Sequence, residues 1–561
     1  MNKKWECYET DEEKVNELIE KYHLSSLVAK ILVNKNIVSK EKIELFLNPT
    51  RNDFHDPFLM PDMEKAVDRI LKALKENERI IIYGDYDVDG ITSITVLKNF
   101  LLERGAVVSE YIPNRLDEGY GLNKEAIEQI AKEKNTLMIT VDCGITAKEE
   151  VEYALKLGIE TIVTDHHEPD DILPNAIAVV DAKRKDNKYP FNQLAGVGVS
   201  FKLIQALSQK LGLEEKEYLK YLDIVAVGTI SDIVPLVDEN RTITKLGLKL
   251  VEVTKNVGLK ALIEASGYKK IDSSTISFGI APRINACGRM GKEQEALNLF
   301  LTDNIVEAKE SALKLNIYNK ERQEIEKKIF EEAVEQAEME KDKNDVLILG
   351  HNDWHHGVIG IVSSKITEMY FKPSILVCFE GEEAKGSGRS IPGFDLHEAL
   401  MNCNTYLEKY GGHSMAVGIS LKTENFEKFK EEFEKYASKC NICDIIPIIH
   451  IDQEVTLKDI SIEAVRDLNK LEPFGEANKM PIFLYKNLKI HSIRTLSDGK
   501  HIKLTLKDGS FFIDAIGFNL GYLAENYKIE DKIDVVGTLE INEFNSRESV
   551  QINLKDVRKS Y

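Results

Sequence analysis

The sequence predicts an α/β protein of several domains: a parallel-sheet domain, a long connecting helix, a second α/β domain and a C-terminal β-barrel of the OB type. Three observations predict it. Between Ile80 and Thr164, short apolar runs alternate with helical patterns, which is how a parallel sheet with crossover helices reads. From Asn304 to Lys341 the chain lacks Gly and Pro and is dense in Glu, Lys and Ala. From about His450, short alternating runs are separated by turn residues such as Asp508-Gly509. At 561 residues the chain is too long for one core. The boundaries read as 1–302 for an N-terminal helical segment and the parallel-sheet domain and 303–343 for the connecting helix. The second domain takes 344–446 and the barrel 447–561.

Hydrophobic residues make up 43% of the chain and charged residues 30%, as in ordinary soluble globular proteins. No apolar run approaches a membrane span, and Met1 to Glu6 lack the apolar core of a signal peptide. A cytoplasmic protein without membrane contact is expected. The seven cysteines are scattered apart from Cys440 and Cys443, which read as structural thiols. The net charge of −20 argues weakly against nucleic acid. Metal carboxylates contribute to that count, and a few Arg and Lys residues in a cleft suffice to hold phosphates.

The first 78 residues read as helical and charged, broken by Pro49, Pro57 and Pro61, with no visible chemistry. The first strand, Ile80 to Tyr83, runs into Gly84-Asp85-Tyr86-Asp87-Val88-Asp89-Gly90, and a helix follows with Ile91, Ile94 and Leu97 on one face. Three carboxylates at alternate positions in a strand–loop–helix turn repel one another, and Mg²⁺ or Mn²⁺ removes the conflict. A strand over Ala106 to Ile112 ends at Pro113-Asn114-Arg115. Asn123 is placed to cap the next helix. Leu137 to Val141 ends at Asp142, Thr146-x-x-Glu149 predicts a capping box, and Thr161 to Thr164 ends at Asp165-His166-His167. Three of these strands therefore bring acidic or His residues to one sheet edge, where open α/β sheets place their sites. Asp232 stands where the apolar helix Leu222 to Ile230 approaches Pro235, an odd place for a merely solvated carboxylate.

The long helix reads as a connector interrupted once or twice, with its charges solvated. The second α/β unit starts at Val346 and carries Lys385-Gly386-Ser387-Gly388-Arg389-Ser390 and Gly411-Gly412-His413. Glycine beside Ser, Arg and His lets amides and cations approach a phosphate. In the barrel, the aromatic side chains read residue by residue as core, although such barrels often stack single strands on aromatics.

Taken in order, these motifs closely resemble the RecJ family of single-strand-specific DNA exonucleases within the DHH phosphoesterase superfamily. The resemblance rests also on Gly228-Thr229-Ile230-Ser231-Asp232, on Pro282 to Arg289 and on Glu472 to Asn478, and spans about residue 50 to the end. It implies a DHH catalytic domain, a DHH-associated domain, and two Mn²⁺ or Mg²⁺ ions. The implied metal ligands are Asp87, Asp89, Asp142 (shared between the ions), His166 and Asp232. Smaller members have a histidine where this chain has Tyr83, and Asp85 is the candidate to replace it. His167 is implied in acid–base chemistry or substrate contact. Arg115, Asn285, Arg289, Ser387, Arg389, Gly411, Gly412 and His413 are implied in substrate binding.

The implied activity is processive 5′→3′ hydrolysis of single-stranded DNA in repair and recombination, with a helicase and a single-strand-binding protein as partners. Two ions about 3.5–4 Å apart suit phosphodiester hydrolysis. One rival is a phosphodiesterase for short oligonucleotides or cyclic dinucleotides, which would not need a barrel. The other is a non-catalytic DNA-binding scaffold, which would be expected to lose metal ligands that are intact here.

Overall fold

The computed structural model describes residues 3–544 and 547–560. Its contacts divide the chain into two compact units. One comprises residues 56–232 and 250–447, the other residues 1–55, 233–249 and 448–561.

The first unit holds a five-stranded, all-parallel sheet. Its order is Val107–Tyr111, Arg79–Gly84, Leu137–Val141, Glu160–Thr164, Ala178–Val180. Ile81, Tyr83, Met138 and Val163 share a core cluster with Ile127 and Ile130 of the helix Lys124–Lys132 and Val151 and Ala154 of the helix Lys148–Lys156. The alternate residues Ile80, Ile82 and Ile139 are equally buried, and successive strand side chains point to opposite faces. Helices Val88–Leu102 and Gly196–Lys210 pack on this sheet as well. Burial on both faces is why these strands read as unbroken apolar runs rather than alternating ones.

Asn123 caps its helix as expected, accepting from the Ala126 amide at 2.7 Å. The box at Thr146 does not form. The helix begins at Lys148, Ala147 occupies the cap position without a side-chain bond, and Thr146 is exposed. The preceding turn is drawn toward the sheet edge instead: Gly144 takes φ 106, and the Ile145 amide donates to Asp165 Oδ2 at 2.9 Å.

The connecting helix Ile305–Glu340 runs 36 residues without the expected interruption. Its buried stripe is not wholly apolar. Asn319, Arg322 and Glu326 lie in it, and Arg322 pairs with Glu326 and donates to Asn319. These charges are therefore buried partners, not the solvated face expected. Beyond the helix is a second sheet, in the order Lys409–His413, Ala416–Lys422, Glu383–Arg389, Ser374–Glu380, Leu347–His351. Only its last pair is parallel.

The other unit is built on a closed barrel of strands Phe483–Leu496, His501–Asp508, Phe511–Gly517, Lys532–Phe544 and Arg547–Lys559. The first strand pairs with the fourth, which closes the barrel. Of the N-terminal helical segment, the residues up to His55 belong here and not with the parallel sheet to which residues 1–302 were assigned, whereas the helix Met63–Glu76 stays with that sheet. Val15, Leu18, Val28 and Ile31 share one buried cluster with Phe483, Leu488 and Ile533 of the barrel. Lys4–Cys7 also pairs in parallel with Ile448–Ile451. Arg241 ties these pieces together, donating to the carbonyls of Phe46, Leu471 and Glu472. Among the described residues, no helix is long and apolar enough to cross a membrane.

Candidate metal centre and cleft

The loop after the first strand of the catalytic sheet is tight. A Cβ on Gly90 would lie 2.2 Å from the Asp85 carbonyl oxygen, so only glycine fits. Asp87 caps the helix Val88–Leu102 through one oxygen, which accepts from the Asp89 and Gly90 amides at 2.9 and 3.1 Å. Asp89 accepts from the Gly196 and Val197 amides at 2.6 and 2.8 Å, in the first turn of the helix Gly196–Lys210. Gly196 is also required for close approach: its Cβ would meet that of Asp142 at 2.6 Å. Asp142 leaves the strand Leu137–Val141 with φ 58, a left-handed conformation that Asp tolerates better than most residues.

His166 is the meeting point. Its Nε2 lies 3.1 Å from Asp142 Oδ1, 3.7 Å from Asp232 Oδ2 and 3.8 Å from Asp89 Oδ2. Asp232 reaches it from the C-terminal end of the helix Leu222–Ser231. Three overlapping groups have ligand atoms within 4.8 Å of one another: Asp85, Asp87 and Asp142; Asp89, His166 and Asp232; Asp142, His166 and His167. All six expected metal ligands, and His167, fall in these groups.

The donor set fits divalent cations. Asp85 Oδ1, Asp142 Oδ1, Asp232 Oδ2 and His166 Nε2 are buried without a hydrogen-bond partner, a costly state unless something else takes their lone pairs. Burial and the neighbouring Asp87 charge push Asp89 up to about 7. Burial and neighbouring carboxylates raise Asp85, Asp142 and Asp232 well above their usual range. Burial, with the His167 charge, pushes His166 down to about 3, leaving a neutral imidazole with a free lone pair. Carboxylates that resist ionising together and a neutral imidazole among them are what hard cations such as Mg²⁺ and Mn²⁺ relieve.

His167 is turned the other way. Its Nδ1 is 2.7 Å from Asp165 Oδ1, and Asp165 also accepts the amides of Ile145, His166 and His167. Burial opposes protonation of His167, but the Asp165 hydrogen bond and charge outweigh it and raise its pKa. The Tyr120 hydroxyl stands 3.3 Å from His167 Nδ1 and 3.4 Å from the Asp142 carbonyl. Neither Asp165 nor Tyr120 was anticipated as a site residue. An Asp directly before two His residues is a signal for an orienting carboxylate. Tyr120 lies between Gly119 and Gly121, both at positive φ.

A cleft of about 290 Å³ opens over Asp85, Asp87, Asp142 and Asp232, with Arg115, Asn285 and Arg289 on its walls. Asn285 Oδ1 accepts from the Val88 amide, which ties this wall to the metal loop. Arg289 donates to the Gly357 carbonyl at 2.9 Å, and Arg389 to Gly388 and to Ser387 Oγ. Burial, then the charges of Arg115, Arg322 and Arg389, push Arg289 down to about 9. Burial and Arg115 likewise lower Arg389. Buried guanidinium groups brought this close together suit an anion bound among them.

Gly411, Gly412 and His413 lie on the exposed edge strand Lys409–His413. Gly412 reaches a second cavity beside His167, whereas His413 is not among the residues lining either cavity. Cys440 and Cys443 are exposed free thiols, so neither packs a core as a structural thiol would. The barrel departs from expectation in the other direction. Phe511 and Phe512 are 46% and 52% exposed, beside a groove of about 430 Å³.

Comparison with known proteins follows the same lines. Residues 79–229 match the model of the DHH family, N-terminal domain, residues 343–439 that of the DHHA1 domain, and residues 451–556 that of the RecJ OB domain. The chain is 40% identical to the single-stranded-DNA-specific exonuclease RecJ of Bacillus subtilis (strain 168), over 99% of this chain and 71% of that protein. The crystal structure of RecJ in complex with Mn²⁺ from Thermus thermophilus superposes with a TM-score of 0.87 at 30% identity, covering 100% of this chain and 80% of that one. The Mg²⁺ complex from the same organism gives 0.81 at 28% identity, with 100% and 79% covered.

Proposed function

Because the chain belongs to the RecJ family, we propose that it removes nucleotides one after another from the 5′ end of single-stranded DNA. It is a metal-dependent exonuclease acting on phosphodiester bonds of single-stranded DNA. The observation that carries the reading is the group of buried, unpartnered oxygen and nitrogen atoms of Asp85, Asp142, Asp232 and His166 beside an arginine-walled cleft.

Asp85, Asp87, Asp89, Asp142, His166 and Asp232 would hold two Mn²⁺ or Mg²⁺ ions, with Asp142 within reach of both groups of ligands. When bound, such ions activate water and stabilise charge on the oxygens of the reacting phosphate. The remaining work falls to the chain itself. Asp89 is locked by two helix amides, so the geometry of the site is set before substrate arrives. His167, held by Asp165, stands at the cleft wall ready to exchange a proton with the reacting groups. Arg115, Arg289 and Arg389, with Ser387, would take the 5′-phosphate of the strand. Gly412 lets the strand pass close to the backbone beside His167. The barrel adds a surface for the strand. We place the activity in DNA repair and recombination in the cytoplasm, on strands exposed by a helicase and covered by a single-strand-binding protein.

The test uses single strands labelled at the 5′ or the 3′ end, with duplex controls, in Mn²⁺, Mg²⁺ or chelator. Mononucleotides should appear first from the 5′ label, only with metal, and Asp142→Asn should lower turnover at least about a hundredfold at saturating Mn²⁺. Asn is chosen because it tolerates the left-handed backbone at φ 58. Activity after exhaustive chelation would remove the metal mechanism, and first release from the 3′ label would reverse the polarity.

A further inference from the structure

The arginine-walled cleft has a neighbour. A second cavity of about 450 Å³ lies on the other side of Tyr120 and His167, and these two residues line both spaces. The two cavities differ in chemistry. The cleft has Arg115 and Arg289 on its walls, while no Arg or Lys lines the second cavity. Its walls include Leu122, Ile145, Thr146, Gly412 and the carboxylate-bearing Glu150. A phosphate would find no Arg or Lys there and two carboxylates, Glu150 and Asp165, with the His167 imidazole between them and the cleft. A nucleobase would find apolar side chains, glycine backbone and an aromatic ring.

The ring is Tyr120, 54% exposed and held in place from below. Its hydroxyl is near His167 and the Asp142 carbonyl. The next residue, Gly121, accepts at its carbonyl from the buried Tyr83 hydroxyl at 2.9 Å. Glu118 braces the same loop, accepting from Tyr111, the Asn114 amide and Asn123. A side chain fixed at both ends of its loop and left with an open face is a ready stacking surface.

A strand with its terminal phosphate among the arginines and its scissile phosphate at Asp142 and His166 continues past Tyr120 and His167. We propose that the second cavity is the subsite for the second nucleotide of the strand, the one beyond the scissile phosphate, with its base against Tyr120. This rests on the exonuclease reading and adds a base-binding site to it. The site is chemically tolerant of sequence, because stacking and glycine backbone do not read base edges.

The test compares 5′-phosphorylated single strands that are intact, or abasic at the second or the fourth nucleotide, in Mn²⁺. The full-length protein should lose about tenfold in kcat/KM when the second base is missing, which corresponds to about 1.4 kcal/mol, and much less when the fourth is missing. Thr146→Phe, which fills the cavity from an exposed position, should lose about tenfold on the intact strand and little more on the strand abasic at position two. Tyr120→Phe should keep the preference for a base at position two, and Tyr120→Ala should lose it, with circular dichroism showing both folded. Equal cleavage of intact and second-position abasic strands by the unmodified protein would overturn the subsite, as would equal losses by Thr146→Phe on both. No cleavage of any single strand by the unmodified protein would instead overturn the exonuclease reading, and this subsite with it.

Discussion

Asp165 Oδ1 sits 2.7 Å from His167 Nδ1, while the same carboxylate gathers the backbone amides of Ile145, His166 and His167. One aspartate therefore sets the direction in which two adjacent histidines point, His166 inward to the metal ligands and His167 to the cleft wall. Replacing it as Asp165→Asn keeps the shape and removes the charge. Turnover should fall about 10- to 100-fold, as for other partners that orient metal-site histidines. The Asp165 charge holds the His167 pKa up, so the substitution lowers it. A rate limb that depends on protonated His167 then moves to lower pH. NMR titration of the His167 ring alongside the pH–rate profile checks this, and an unmoved His167 pKa would sever the proposed link.

The metal-free ligand cluster should make stability depend on pH in an unusual direction. Asp89 is raised to about 7 from its ordinary 3.8, and Asp85, Asp142 and Asp232 are raised as well. The folded state then keeps protons that the unfolded chain has already released. Its stability falls as pH rises from about 4 through 7. Cation binding needs these groups ionised, so stabilisation by Mn²⁺ should grow across the same window. Thermal unfolding at pH 5.5 and pH 8, in EDTA and in Mn²⁺, measures both effects. A Mn²⁺ shift that is larger at pH 5.5 would contradict the assignment of these carboxylates as ligands.

Arg389→Ala should impair strands with a 5′-phosphate more than strands with a 5′-hydroxyl, and should leave Mn²⁺ affinity unchanged. Its guanidinium is held by Gly388 and Ser387 and reaches no metal ligand. Loss of a charge-assisted contact of about 1.5–3 kcal/mol predicts roughly a 10- to 150-fold rise in KM for the phosphorylated strand. An equal effect on both strands would show that Arg389 does not recognise the end.

The chemistry was far more legible in the sequence than the assembly of the chain. Strand ends that carry Asp or His announce themselves, because a parallel sheet must bring all its C-terminal ends to one edge, and Asp87, Asp142 and His166 do meet there. The side-chain direction within a motif is not so visible. Asp165 looks like a ligand by type but spends its oxygens on backbone amides. Thr146 has the spacing of a capping box, yet tertiary demand on the Ile145 amide wins over the local pattern. The N-terminal helices show an apolar face, with Val15 and Leu18 on it, but periodicity says only that a face is buried, not against which core. The pairing of Lys4–Cys7 with Ile448–Ile451 joins the N-terminal strand to the segment just before the barrel, far away in sequence, and no local signal encodes it.

That shared core decides how the barrel has to be tested. Cutting the chain before the barrel would strip the partner surface from Val15, Leu18 and Ile31, so the remainder would not be a fair control. Surface substitutions avoid this. Phe511 and Phe512 are both about half exposed, Lys507 Nζ lies 5.3 Å from the Phe512 ring centre, and His491 meets that ring edge-on at 5.2 Å. Aromatics beside a cation suit stacking with single-stranded bases. Alanine at either position should change stability by only about 0.5 kcal/mol, as expected for exposed sites. Stacking worth about 1–3 kcal/mol per base predicts that Phe511→Ala with Phe512→Ala weakens binding of long strands by at least about tenfold. Strands too short to reach the barrel while held in the cleft should be digested as before. The measurement is the ratio of rates on long and short 5′-phosphorylated strands at low protein concentration, for the double variant against the unmodified protein. The ratio should drop about tenfold. If it stays constant while the variant remains folded, these rings do not carry the strand, and the barrel's contribution to long substrates lies on another of its faces.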